Sequence, residues 1–597
     1  MPLESLATLV FSAETPIWPG GFNGRTFYCP QEPPQCLGPY MPKATQLIGR
    51  ARWLLRIAAL AGAPCSRKSK EYGIPVRGHA EAEAVAARAF GSTRASSPVV
   101  VREEWRLPEV DRVTYIKPRE AQLLEEFISK VRGIAHPKRP NRRLGVSNAL
   151  TALSLHAYRR LRRLLGVDHE PPVGVVTRSI LGDEGASKLL EGISEEALLL
   201  FAIPRFLLTV QGFEEGRSYY EIQPLKPNDV ELVVRVLKRP GARGDGPSQA
   251  LAVAALAAVP VVVGLGKAAS RGFGHFRLVE AEVSSHLEGM LSDYIDLLRG
   301  AISPESLDRA LGFIVDMATA SLGESDDCLN LAPTLKGSEI LVSENARHPC
   351  PYHVEELQGL SKDPGDYACF ERAADCSEIG DDSARILCAL SAIGASTLKS
   401  TWKAYHAASG RIAGVEEPGP TYHTWPLGLP RYVETRRPPK VTGYLRVPWG
   451  VKLEEGRLRG PLKGDAGRHL SPITIWPLPG GRGPAGGFIA VKLEAAGSLR
   501  ALLHWKGAYL IHEGFHRRAR KSYHLVIPVK KIVRIEEHQG YRDLARELGR
   551  IPTLLEMAEA AYSAAAEWLS HLLGLHPSPA KVGRGTTSPR GSSGAPA

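Results

Sequence analysis

Apolar side chains recur along this chain at two periods. LATLVFS, Leu6 to Ser12, is nearly continuous in apolar residues and predicts a buried strand. Pro98 to Glu103, Val230 to Lys238 (VELVVRVLK) and HFRLVEAEV from His275 predict three more. Between Lys43 and Gly62, Leu47, Ala51, Leu54, Leu55 and Ala58 fall at helical spacing behind Pro42, a helix start. Ser248 to Val259 reads as an alanine-rich helix, with Val261 to Val263 a short strand. Pro118 to Val167 reads as helical, and so does a bridge from Leu287 to Leu322. A second series begins near Leu331. GSEILVSEN predicts a strand, Ala384 to Ala408 a helix, and TWPLGLPRY, TGYLRV, SPITIWPLP and GFIAVKLE successive strands. Pro552 to Leu573 is a long amphipathic helix, and from His576 the Pro/Ser/Gly-rich chain predicts disorder. Strands and helices interleave twice, which gives an α+β class with long insertions.

Length and charge narrow the partners. A chain of 597 residues, 43% hydrophobic and 23% charged, has room for two to four domains. Lys+Arg 75 against Asp+Glu 63 leaves +12, which favours nucleic acid, an acidic membrane face or an acidic protein. The start, MPLESLATLVFSAETP, carries Glu4 and no positive flank, so no secretory signal is expected. Ala250 to Val263 is short for a membrane span and holds Pro260. A cytoplasmic protein with no membrane partner is expected.

The cations are gathered. Between Glu126 and Asp168 there is no acid, yet Lys130, Arg132, Lys138, Arg139, Arg142, Arg143, Arg159, Arg160, Arg162 and Arg163 stand there. Such a run is either a solvated face or a phosphate-contacting one. The same holds between Glu513 and Glu536, with Arg517, Arg518, Arg520 and Lys521 followed by Lys530, Lys531 and Arg534. Arg52 and Arg56 share a face of the first helix, and Arg50 lies off its apolar stripe.

Eight cysteines do not make a disulfide scaffold at this length. Cys29/Cys36 and Cys369/Cys376 share a C-x6-C spacing, and HPCPYH holds His348, Cys350 and His353. A zinc site would use His348 or Cys350 with Cys369 and Cys376, although the spacing is not the C-x2-C knuckle. Buried thiols and, in a hyperthermophile, disulfides are the alternatives. No metal or cofactor is expected.

GLGKAASRGFGHFRL, Gly264 to Leu278, is the densest motif. A dinucleotide fingerprint needs a helix directly after its glycines, and Gly272 and Gly274 break one here. No G-x4-G-K-[ST] occurs. The run instead predicts an extended loop on a sheet. Gly264, Gly266, Gly272 and Gly274 would let its amides approach phosphate, Lys267 and Arg271 would add charge, and Phe273 a flat face. The same glycines also permit close packing against a neighbouring helix.

This loop resembles the glycine-rich signature, roughly G-L-G-x-x-x-x-R-G-F-G, of the RAMP proteins of CRISPR systems. TPIWPGG followed by IGRARWLLR is similar to that family's T-P-(hydrophobic)-x-x-G-G and first helix, and AFGSTRASSPVVV to its F-G-S-T segment. WPLGLPRY, TGYL and GRHLSPITI resemble the W-x-L-G-L-P-R, T-G-Y and R-x-x-S-P-I blocks. The ordered set resembles the first-numbered RAMP subunits of the type III-B, or Cmr, effector complex. The resemblance implies two ferredoxin-like, RNA-recognition-type modules with helical insertions. It implies a place near the 3′ end of the guide RNA, a share in capturing target RNA, other Cmr RAMP subunits as partners, and no catalytic role. Carried onto this sequence, RNA contacts fall on Arg50, Arg52 and Arg56, on the loop residues above, and on Arg431 and Arg468. The second basic surface adds Arg517, Arg518, Arg520 and Lys521. Ala268 and Ala269 stand where relatives often carry charge, and His469 and Leu470 vary the last block.

The expected layout is a first module over 1–285 with a basic helical insertion at about 118–167, and a helical connection over 286–330. A second module follows over 331–575 with a cysteine-containing insertion at about 347–381, then a disordered tail over 576–597. Two other readings stay open. One is a metal-independent endoribonuclease that processes guide RNA with His275 as its acid or base. The other is an assembly protein whose basic faces meet acidic subunits.

Overall fold

The computed structural model describes residues 3–578 apart from 21–24, 28–37, 67–75, 168, 171–172, 212–217, 242–244, 301, 323–327, 361–362, 372–373, 423, 429–430, 437–438, 447–451, 455–456, 462–470, 481–482, 505–507, 515–516, 519–523 and 535–538. Within the strands over 431–461 and 508–534 it describes the backbone alone.

The first half builds a four-stranded antiparallel sheet from β1 (Ser5–Ala13), β2 (Val99–Arg106), β3 (Glu231–Lys238) and β4 (Phe276–Val283). Its order is β2-β3-β1-β4. The two interior strands are strongly apolar: Leu6, Leu9 and Phe11 of β1 and Leu232, Val234 and Val236 of β3 are fully buried. Val10 sits opposite Val233, and Phe11 opposite Leu278. Helix α1 (Ala44–Ala59) joins β1 to β2, and α2 (Gly246–Ala258) joins β3 to β4. Both pack on the sheet and on each other. The element sequence is therefore β-α-β-β-α-β, with strands in the spatial order 4-1-3-2.

The predicted strand at Val261–Val263 does not form. Helix α2 instead runs into a π-helical turn, Val259–Val263, closed by the Gly264 amide donating to Val259 O at 2.9 Å. Pro260 offers no amide to an α-helical ladder, and the wider turn accommodates it. The continuous segment Gly246–Val263 is thus longer than the sequence suggests. It is apolar and long enough to cross a membrane, but 78% of it is buried inside the fold.

Between β2 and β3 the basic insertion forms helices Pro118–Gly133 and Val146–Leu164, followed by four shorter ones. The expected unbroken helix is interrupted by a hairpin, Ala135–His136 with Arg139–Arg143. Gly133, Pro137 and Pro140 account for the break. The bridge is helical as expected, at Ser285–Leu298 and Pro304–Thr319.

The second half repeats the arrangement. Strands β5 (Thr334–Ser343), β6 (Ile473–Gly480), β7 (Gly483–Glu494) and β8 (His576–Pro577) pair antiparallel in the order β6-β7-β5-β8. Helix α3 (Asp382–Ser396) lies between β5 and β6, and α4 (Leu554–Leu573) between β7 and β8. The predicted helix to Ala408 breaks at Thr397, and a second helix covers Lys399–Ser409. His576 and Pro577, expected in the tail, pair with Val342 and Leu341; 579–597 lie outside the described residues. Trp425–Leu427 is a 3₁₀ turn rather than strand, since Pro426 and Gly428 flank Leu427. Arg431–Arg436, Pro439–Arg446, Lys452–Glu454, Arg457–Pro461, Ala508–Gly514, Arg517–Arg518 and His524–Arg534 form a separate sheet.

One apolar core runs through both halves. At their seam Thr334 Oγ1 donates to Ile57 O (3.0 Å), and Ser391 Oγ to Ala202 O (2.8 Å). Among the described residues the cysteines pair as Cys65–Cys328, Cys350–Cys369 and Cys376–Cys388. The zinc reading is thereby corrected: Cys350, Cys369 and Cys376 hold disulfides, and burial pushes His348 to about 3 and His353 to about 4, both neutral. Cys29 and Cys36 lie outside the described residues.

Candidate nucleic-acid interface

The glycine loop begins at the end of α2 and returns to the sheet at β4. Gly264, Gly266, Gly272 and Gly274 all have positive φ, between +66° and +93°. A Cβ on Gly274 would lie 1.9 Å from Leu265 O, and one on Gly266 2.4 Å from Trp18 O. Only glycine fits such an approach. The loop thus folds onto itself and onto the TPIWPGG segment. Leu265 N donates to Gly274 O (2.7 Å), Lys267 N to Trp18 O (2.7 Å) and Gly274 N to Pro16 O (2.9 Å).

The remaining blocks close around it. Arg50 of α1 donates to the carbonyls of Val263 (3.2 Å), Gly264 and Gly266 (2.7 Å). Arg52 donates to Gly91 O in the F-G-S-T segment and pairs with Glu83, which also pairs with Arg56 at 3.0 Å. The Trp18 ring meets Phe273 at 5.4 Å, and the Lys267 ammonium sits 5.7 Å over the Trp18 ring. The sequence blocks are neighbours in space, and much of their charge is spent on backbone carbonyls.

Four expectations change here. Arg271 is 8% exposed and does not face solvent. Its guanidinium donates to Ile473 O (3.0 Å), Leu427 O (2.9 Å) and Ser471 Oγ (3.1 Å), tying the loop to the second half. Phe273 is buried, so its ring is no stacking face for a base. A Cβ on Gly272 would meet Leu390, Pro477 and Ile393, so this glycine serves the seam. The inward hydrogen bonds of Leu265, Lys267 and Gly274 replace the expected phosphate nest. Of the two readings of the glycines, close packing is what the structure displays. Arg162 is corrected as well: it is buried against Glu356 at 2.9 Å and lies over the Tyr352 ring at 5.0 Å.

His275, the candidate acid or base, is fully buried. Its Nδ1 lies 3.0 Å from Val261 O and its Nε2 2.9 Å from Ala269 O. Burial holds it at about 4, below the ordinary histidine range. It has no face left for a substrate.

Lys267 keeps partial exposure at the loop's edge, and burial lowers its ammonium to about 8. Arg431, Arg517 and Arg518 lie on strands of the separate sheet whose side chains are not described. Arg468, Arg520 and Lys521 lie outside the described residues. The sequence reading missed the hairpin, which exposes Lys138, Arg139, Arg142 and Arg143. Pro137 and Pro140, bracketing Lys138 and Arg139, were the available signal.

No family model matches the chain, and no curated protein matches it. Among solved structures it is similar to apo Cmr1 from Pyrococcus furiosus, at 13% identity and a TM-score of 0.32, over 87% of this chain and 91% of that one. It is also similar to a chain of the type III-B Cmr-beta complex bound to cognate target RNA, at 14% identity and a TM-score of 0.29, over 61% and 73% of the two chains. A chain of that complex with target RNA, AMPPnP and ssDNA gives 14% identity and a TM-score of 0.32, over 82% and 94%.

Proposed function

We propose that the chain is a non-catalytic RNA-binding subunit of a type III-B (Cmr) CRISPR effector complex, acting near the 3′ end of the guide RNA in capture of target RNA. The observation that carries this reading is repetition. Each half turns a β-α-β-β-α-β run into the strand order 4-1-3-2, which supports reading each as a ferredoxin-like module. The GLGKAASRGFG loop fills the seam between the two. That is the arrangement which the ordered motif blocks imply for two joined RAMP modules, here 1–285 and 331–575 with 286–330 between them.

The charge supports a polyanion partner. The net charge is +12, and the acid-free windows set cations where no neighbouring carboxylate in sequence neutralises them. RNA contacts are proposed on Lys267, Arg431, Arg468, Arg517, Arg518, Arg520 and Lys521. Target sequence would be read by guide pairing, and the protein would hold the backbone. A non-catalytic role is supported by His275, whose ring nitrogens both face carbonyls inside the protein. A cytoplasmic chain without a membrane partner is part of this proposal; the apolar segment Gly246–Val263 is 78% buried inside the fold.

The test is binding of the full chain to unstructured oligoribonucleotides across a salt series, with co-purification of guide RNA and other Cmr subunits. Expected is affinity that falls steeply with salt and ignores base sequence. No affinity at low salt, alone or with the partner subunits, overturns the proposal.

A further inference from the structure

The insertion carries a structure that the motif resemblance does not cover. Helices Pro118–Gly133 and Val146–Leu164 pack against each other, and Leu124, Phe127, Val131, Leu150, Leu153 and Leu161 are buried. From their adjoining ends projects the hairpin Ala135–His136/Arg139–Arg143. Its base is fixed: Leu144 N donates to Ile134 O (3.1 Å), Leu144 is buried, and Arg143 donates to Gly133 O. Its tip is a tight turn in which Lys138 N donates to His136 Nδ1 (3.1 Å). Every residue of Arg139–Arg143 is exposed.

The chemistry of this finger is narrow. Arg139 and Arg142 lie along the exposed second strand, with Arg143 at its base and Lys138 at the turn. Among the described residues none of Lys138, Arg139 and Arg142 has an ion pair. Some other surface arginines have one, as Arg56 has Glu83 and Arg106 has Glu231, whereas exposed Arg94, Arg102 and Arg112 have none among the described residues; what sets the hairpin apart is three such cations within five residues. Cations held at close range on a rigid support, without counter-charges, raise each other's energy until an anion arrives. The hairpin has no leucine, methionine, tyrosine, tryptophan or phenylalanine to anchor a protein partner. Pro140 leaves the strand without one amide, so it is a poor template for adding a strand. What remains is a presentation dominated by guanidinium and ammonium groups, with Asn141 beside them on the exposed strand.

We propose that the hairpin 135–143 is a second RNA contact, a finger whose Lys138, Arg139 and Arg142 hold phosphates of a single strand independently of sequence. The proposal rests on the RNA-binding reading above. It is distinct from the loop region, since it is carried by the insertion between β2 and β3.

The experiment uses the full chain, a labelled unstructured oligoribonucleotide and a salt titration. The triple variant Lys138→Gln, Arg139→Gln, Arg142→Gln should flatten the slope of log affinity against log salt by about 2 units, at roughly 0.7 per lost single-strand contact. Affinity at low salt should fall at least about tenfold, equally for a scrambled probe. Arg139→Lys with Arg142→Lys should keep the wild-type slope. The single variant Arg142→Gln, at one exposed site, should give about a third of the effect and an unchanged melting curve, which separates charge loss from misfolding. Wild-type slope in the triple variant, with wild type binding RNA, overturns the finger and leaves the proposed function standing. So does retained RNA affinity with loss of an acidic partner subunit on co-purification, which would make the hairpin a protein contact. A wild-type chain that ignores RNA removes both proposals.

Discussion

The His275 imidazole lies flat on the Trp476 indole, with ring centroids 4.5 Å apart and planes 7° from parallel. His275 ends the glycine loop of the first half, and Trp476 is in β6 of the second. Both are buried, and the pair joins the two sheets at the seam. Removing the indole leaves a cavity against the buried His275 ring. Trp476→Ala should cost about 3–5 kcal/mol. Chemical unfolding followed by circular dichroism measures it, and a cost below about 1 kcal/mol would show that the halves do not meet there.

Arg271 makes a charged, forked contact across the seam. Its guanidinium serves two carbonyls and a hydroxyl of the second half. Arg271→Ala strands these buried acceptors, at a cost of about 3–5 kcal/mol. Arg271→Lys keeps charge but not the fork, so it should recover only part. From sequence alone, this arginine and Lys267 look removable with little loss of fold. The structure separates them: the Arg271 variant should melt early, and the Lys267→Ala variant should melt almost as wild type.

How much the sequence discloses depends on the kind of interaction. The strands β1, β3, β4 and β5 and the helices α1 and α4 were legible because period and burial agree. Leu47, Leu54 and Leu55 face one core, and Thr553 caps α4 with Glu556 as its reciprocal partner. The glycine loop was legible as a special backbone, but not in what it faces. Positive φ follows from local sequence, whereas the neighbours Leu390, Ile393 and Pro477 arrive from residues more than a hundred positions away. Arg162 misled for the same reason, since Glu356 is distant in sequence and invisible to a charge window. Pro137 and Pro140 marked the hairpin, and a helical reading of charge and apolar spacing overrode them; Pro260 suggested the opposite error, a helix end before a strand, where the chain instead continues into a π turn.

Burial also sets an acid response. His275, His156 and His353 are held at about 4 and His348 at about 3, each chiefly by burial. A folded value below the unfolded 6.5 means that the unfolded chain binds more protons between them. Stability from these groups is complete above pH 6.5 and declines as pH falls toward 4. Glu14, raised to about 7 by burial, and Glu125, Glu356, Glu494 and Glu559, also raised by burial, work in the opposite sense over part of that window and reduce the slope. The net slope is at most roughly 4 kcal/mol per pH unit. Urea midpoints at pH 7.5, 6 and 5 should fall in that order; equal midpoints would mean that these rings are hydrated.

Lys267 gives a response on the alkaline side. Burial brings its ammonium to about 8, so it loses its charge between pH 7 and 9, where exposed lysines and arginines keep theirs. If it contacts phosphate as proposed, the salt slope of RNA binding should drop by roughly 0.7 units over that range. Lys267→Arg should abolish the pH dependence, because guanidinium stays charged. A slope that changes equally in both proteins would place the contact elsewhere.

The disulfides should contribute unequally, and loop length decides the order. Cys65–Cys328 closes 263 residues of chain, Cys350–Cys369 closes 19 and Cys376–Cys388 closes 12. A cross-link removes unfolded-state freedom in proportion to the logarithm of the loop it closes. The long one is then worth roughly 5–6 kcal/mol and each short one about 3 kcal/mol. Cys65–Cys328 also ties the hairpin before α2's neighbour helix His79–Phe90 to the segment that leads into β5, so it constrains the first half against the start of the second. Cys65→Ser should therefore lower the unfolding midpoint more than Cys376→Ser. Alkylation before and after reduction, read by mass spectrometry, counts the thiols that each bridge releases. Cys376 is fully enclosed and Cys65 only partly, so the hydroxyl that Cys376→Ser buries adds to its cost. A Cys65→Ser loss still no larger than that of Cys376→Ser after this allowance would mean that the long cross-link is not closed in the folded protein.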